Sequence, residues 1–116
     1  MYKSEISASM MCSDLLDLKR TIEIFEQHNI EHLHIDVMDG EFVPNISFGY
    51  SFIGALNKRI DTTIDTHLMI MHPQNYIEQF VKAGSDYITF HVEADCNVMK
   101  TIDLIHSYGV KAGISI

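Results

Sequence analysis

His34-Ile35-Asp36-Val37-Met38-Asp39-Gly40 decides how this chain folds. Side chains on a strand alternate between its two faces. His34, Asp36 and Met38 therefore share one face, while Leu33, Ile35 and Val37 share the other. The same division recurs along the chain. Asp65, His67 and Met69 stand against Ile64, Leu68 and Ile70, and Thr89 and His91 against Ile88 and Phe90. At the start, Ser7, Ser9 and Met11 stand against Ile6 and Met10. Each strand thus has one apolar face suited to lie under helices and one mixed face of Ser, Thr, His, Asp and Met. A doubly wound sheet is covered on both sides, so both of its faces read apolar. One consistently polar face fits the lumen of a barrel, with active groups at the C-terminal strand ends.

The order of elements agrees. Strand-like segments begin near Glu5, His32, Thr63, Asp86 and Val110, with amphipathic runs between them. Leu15, Leu18, Ile22 and Phe25 recur at helical spacing within a predicted helix from Asp14 to His28, where Asp14 and Asp17 serve as N-terminal caps. A second helix is predicted from Pro73 to Ala83, opened by proline and closed by Gly84. A third runs from about Asn97 to Tyr108 with Gly109 as its stop, and a weaker one covers Phe48 to Leu56. Strand–helix alternation means parallel strands joined by helical crossovers. The fold class is α/β, and the 116 residues amount to an N-terminal portion of a (β/α)8 barrel. That portion is about four βα units plus a fifth strand, one incomplete domain over residues 1–116, since a whole barrel needs about 200 residues or more.

Composition narrows the function. A formal charge of −8 with no basic stripe argues against a nucleic-acid partner. No apolar run approaches the roughly 20 residues of a membrane-spanning helix, and Met1-Tyr2-Lys3-Ser4-Glu5 lacks the layout of a signal peptide. Cys12 and Cys96 have neither CxxC spacing nor a small secreted framework, so they read as reduced thiols in a cytoplasmic protein. No glycine-rich GxGxxG or GxxxxGK[ST] loop follows the first strand, which weakens a nucleotide-binding reading.

His34, Asp36 and His67 are a candidate ligand set for one divalent ion, since imidazole and carboxylate suit Zn, Fe(II), Mn or Co. Beside such an ion, Asp36 is placed to take a proton from a carbon next to a carbonyl. The plain alternative is that the three residues bond to one another in a polar barrel interior. Met11, Met38 and Met69 recur on the same faces and would make a thioether floor for a planar intermediate, or else simply fill the core. Ser9 faces inward, with a substrate-binding hydroxyl or a satisfied strand hydroxyl as the alternatives. His91 and Glu93 end the fourth strand, where they either line the site or face solvent. Asp39 to Asn45 reads as a lid or as a plain structured turn. His28, His32, His72 and His106 read as surface residues.

The stretch from His34 to Asn45, with Asp65-Thr66-His67-Leu68-Met69 and Thr89-Phe90-His91-Val92-Glu93-Ala94, closely resembles the ribulose-phosphate 3-epimerase family. Ala8-Ser9 departs from it, standing where the family usually has Pro-Ser. Met11 to Leu16, and His67-Leu68-Met69 with Pro73 to Ile77, also look like the allulose-6-phosphate 3-epimerase branch. The resemblance implies a ribulose-phosphate-binding TIM barrel that inverts carbon 3 of a ketose phosphate, D-ribulose 5-phosphate to D-xylulose 5-phosphate, through an enediolate. It implies one divalent metal on His34, Asp36 and His67, with Asp36 also the first acid/base. Ser9, His67, Met38 and Met69 would contact the substrate. A small sugar phosphate, further copies of the chain, and neither nucleic acid nor membrane are the implied partners. In the family the second acid/base lies on the seventh strand and the phosphate grip follows strands six to eight, so residues 1–116 alone are expected to have little or no activity. Two rivals stand beside this reading. One is an inactive half-barrel with a structural or interaction role. The other is a decarboxylase or aldolase of the related phosphate-binding barrels, which resemble a D-x-K-x-x-D pattern; His34 to Asp39 contains no lysine.

Overall fold

In the computed structural model, residues 4–116 are described; the reading of Met1–Lys3 as lacking a leader lies outside them. Five strands, β1 (Ser7–Ser9), β2 (His32–Met38), β3 (Thr63–Met69), β4 (Tyr87–His91) and β5 (Lys111–Ser115), form one sheet in the order β1-β2-β3-β4-β5. All pairs are parallel. The helices are α1 (Leu18–Gln27), α2 (Tyr50–Asn57), α3 (Ile77–Ala83) and α4 (Val98–Ser107), and short 3-10 turns lie at Met10–Cys12 and Pro73–Asn75. Parallel strands in sequential order, alternating with helices, are what an N-terminal part of a TIM barrel provides.

The faces divide as the alternation requires. Along β2 and β3 every second residue is buried and the ones between are half-buried. Leu33, Ile35 and Val37 of β2, Ile64 and Leu68 of β3, and Ile88 and Phe90 of β4 join Ile53, Leu56, Ile77, Phe80 and Ile105 of the helices in one core. Thr66 lies on this covered face too, fully buried, and shares a 2.7 Å hydrogen bond with the buried hydroxyl of Ser85. The opposite face carries the polar residues.

Helix boundaries differ from expectation for local reasons. α1 begins at Leu18 because the Asp14 carboxylate accepts the Leu16 N–H and holds a turn, leaving Asp17 as the cap that accepts from Arg20 N–H. The predicted Pro73–Ala83 helix is split at Tyr76, whose backbone (φ −124°, ψ −5°) is not helical. Gly84 ends α3 at φ +113°, as a C-terminal glycine should. Asn97 caps α4 by accepting from Lys100 N–H. Two side-chain expectations are corrected. His32 is no surface residue but the first residue of β2, with its Nε2 2.8 Å from Glu5 and its side chain 18% exposed. Met11 is not on the strand face: β1 stops at Ser9, and the 3-10 turn buries Met10 while leaving Met11 exposed.

Candidate metal centre

Register gathers the candidate residues. β1 and β2 align Ser9 with His34, and β2 and β3 align His34 with Asp65, Asp36 with His67 and Met38 with Met69. Strand neighbours in register stand side by side on one face, so three rows result. Ser9, His34 and Asp65 make the lowest, Asp36 and His67 the middle, and Met38 and Met69 the one nearest the C-terminal ends. All of these side chains are on the helix-free face and half-buried.

The Oδ1 of Asp36 is the point of convergence. It lies 3.1 Å from Nε2 of His34 and 3.0 Å from Nδ1 of His67. The far nitrogen of each ring is also held. His34 Nδ1 is 2.7 Å from Oδ2 of Asp65, and His67 Nε2 is 2.7 Å from Nε2 of His91. The rings of His67 and His91 stack at 4.9 Å, and Phe42 packs 5.0 Å from His91. His91 therefore belongs to the cluster rather than to the solvent side. Glu93 is peripheral, 3.7 Å from His91 and 60% exposed.

Electrostatics separate the two imidazoles. Burial works against charge on His34, but the hydrogen bond from its ring to Asp65 and the charges of Asp65 and Asp36 outweigh it, so its pKa is raised. His67 is lowered: burial disfavours its charged form, and the nearby His91 and His34 oppose the help from Asp36. Neutral imidazole and ionised carboxylate are the forms that bind a metal.

Loop geometry completes the rim. Ser47 donates to the Asp36 carbonyl at 2.6 Å and accepts from Met38 N–H at 3.0 Å, which fixes the end of β2. The Asp39 carboxylate accepts N–H groups from Glu41, Phe42 and, across to the next loop, Met71. Burial pushes its pKa up, yet these donors together carry it below the ordinary value. The loop after β2 is thus a braced turn, with Gly40 at φ +78°.

His34, Asp36 and His67 each offer a ligand atom, all within 4.8 Å of one another. Two imidazoles and a carboxylate, with the far ring nitrogens engaged elsewhere, fit one divalent ion both in donor chemistry and in outer-shell support. Asp65 and His91, which complete that support, carried no firm role in the sequence reading. The signal that finds Asp65 is its register with His34.

Five parallel strands alternating with helices, with two imidazoles around a carboxylate on the open face, make this an α/β protein with a candidate metal centre. Residues 5–116 match the family model described as the ribulose-phosphate 3 epimerase family, and the chain belongs to that family. It is 40% identical to a ribulose-phosphate 3-epimerase of Treponema pallidum (strain Nichols), over 96% of this chain and 51% of the relative. Identity with the protein of that name from Bacillus subtilis (strain 168) is 41%, over 95% and 51%. With that of Chlamydia muridarum (strain MoPn / Nigg) it is 44%, over 95% and 48%. The chain spans about half the length of these relatives.

Proposed function

We propose that this chain contributes the first half of a metal-dependent epimerase acting on a ketose phosphate, D-ribulose 5-phosphate to D-xylulose 5-phosphate. The observation that carries the reading is the meeting of His34 and His67 on one oxygen of Asp36, in a chain of this family. The names of the relatives favour ribulose 5-phosphate over allulose 6-phosphate.

In this reading His34, Asp36 and His67 hold one divalent ion, Zn, Fe(II), Mn or Co. When bound, that ion supplies positive charge where an enediolate develops negative charge. Asp36 removes the proton from carbon 3 as general base. Ser9 and His67 orient the substrate oxygens, while Met38 and Met69, paired in register, form the apolar floor that keeps water from the planar intermediate. Inversion requires the proton to return from the opposite face, so a second group must face Asp36, and this chain alone is expected to turn over little or no substrate. No helix among the described residues is long and apolar enough to cross a membrane. The same reading includes association with further copies of the chain.

The test is Asp36→Asn in a version spanning the relatives' full length. Deuterium exchange at carbon 3 in D2O should fall by about 10²–10⁴-fold, the usual worth of a positioned base. Exchange at the parental rate would remove Asp36 from that role.

A further inference from the structure

We infer that Asp65 is a positioning residue: its carboxylate holds the proton of His34 on Nδ1 and so turns an unprotonated Nε2 toward Asp36. The inference rests on the ligand reading above and extends it to a residue outside the ligand set. Three observations carry it. First, Asp65 is in register with His34 on the neighbouring strand, so backbone pairing sets the two side chains next to each other. Second, the two His34 contacts are unequal. Nδ1 to Asp65 is 2.7 Å, while Nε2 to Asp36 is 3.1 Å, and the Asp36 oxygen is shared with His67. A charge-assisted hydrogen bond is stronger when shorter. When the ring holds a single proton, that proton therefore stays on the Asp65 side. Third, Asp65 is half-buried beside the site, and its oxygen meets the nitrogen facing away from the cluster of His34, Asp36 and His67. A carboxylate on the far nitrogen fixes the tautomer and the ring plane, and it raises the basicity of the nitrogen left for the ion.

The arrangement is asymmetric. His67 is held from behind by a second imidazole, His91, rather than by a carboxylate. An imidazole is a weaker anchor, so His34 is the better oriented and more basic of the two. Removing Asp65 should cost the site more than its distance from the ion suggests.

The experiment uses the chain itself. Long-range ¹H–¹⁵N correlation spectra of the metal-free protein, taken at a pH where His34 is neutral, should show its proton on Nδ1. A proton on Nε2 would overturn the proposal without any variant. Co(II) is then titrated into the parent, Asp65→Ala and Asp65→Asn, with folding of each checked by its amide spectrum. Asp65→Ala should weaken Co(II) by about 10–100-fold, the range for loss of an outer-shell partner. Asp65→Asn keeps the shape and an acceptor oxygen without the charge and should fall between. Parental affinity in both folded variants would also overturn it. A parent that takes up no Co(II) would instead remove the ligand reading of His34, Asp36 and His67, while the tautomer measurement judges Asp65 by itself.

Discussion

Replacing Thr66 by valine tests whether the back of β3 is held by a matched pair of hydroxyls. Thr66 sits between Asp65 and His67 and points the other way, into the core, with 0% of its surface exposed. Its hydroxyl meets that of Ser85, which is 4% exposed, at 2.7 Å. Valine keeps the shape of threonine and removes only the oxygen. Ser85 then keeps a buried hydroxyl with no partner, at a cost of about 1–3 kcal/mol. Ser85→Ala strands the Thr66 hydroxyl in the same way and should cost a similar amount. The double variant has no orphan left. It should therefore be no less stable than the worse single, giving a coupling of about 1–2 kcal/mol from a hydrogen bond whose net worth is modest. Urea denaturation of the four proteins supplies the cycle. Penalties that simply add, with coupling under about 0.5 kcal/mol, would refute the reasoning, because sites that do not share a partner behave that way. Relief in the double variant would locate the cost in the unpaired oxygen rather than in lost volume.

Two further outcomes follow from packing and titration. A Cβ added to Gly113 would run into Oγ1 of Thr89, its register partner on β4, and lie 3.1 Å from its Cβ. Turning the Thr89 hydroxyl away does not relieve the second contact, so Gly113→Ala should lower stability by about 1–3 kcal/mol in urea, the usual cost of overpacking; an unchanged midpoint would contradict it. In metal-free chain kept with a chelator, His34 and His67 should bend the pH–stability curve in opposite directions. The raised His34 contributes stability that is fully present below 6.5 and is lost as pH rises through its raised value. The lowered His67 resists protonation, so stability is lost as pH falls from 6.5 toward its lowered value. His34→Gln should remove the decline on the alkaline side and His67→Gln the one on the acid side, read as unfolding midpoints against pH.

Much of the fold is legible in period-two alternation, because a strand with one covered face must write that face into every second residue. β2 and β3 are the clearest cases, apolar at 33, 35 and 37 and at 64 and 68. Helix ends are less legible, since they depend on which of two competing hydrogen bonds a side chain makes. Asp14 could have capped a helix, but its oxygen reaches Leu16 N–H and delays α1 to Leu18. Nor does anything at Tyr76 announce a break; the proline start at Pro73 suits a 3-10 turn as well as an α-helix. Met10 keeps its place in the core, but Met11 leaves the strand face because β1 is only three residues long, and the strand period cannot be carried past Ser9.

The site was half legible, and the missing half has one cause. Alternation assigns a residue to a face but not to a neighbour. That His34 and Asp36 share a face follows from β2 alone. That Asp36 stands beside His67, and His34 beside Asp65, follows only from the pairing of β2 with β3, contacts made across 31 residues of chain. The pairing is set from the opposite side of the sheet. A slip of β2 by one residue would carry Leu33, Ile35 and Val37, now 0–5% exposed, out of the core and His34 and Asp36 into it. The cost of exposing three aliphatic side chains, about 1.5–3 kcal/mol each, forbids it. The separation of ring nitrogen and carboxylate oxygen is thus held by leucine, isoleucine and valine on the far face, and a ligand geometry that looks like electrostatics is enforced by hydrophobic burial.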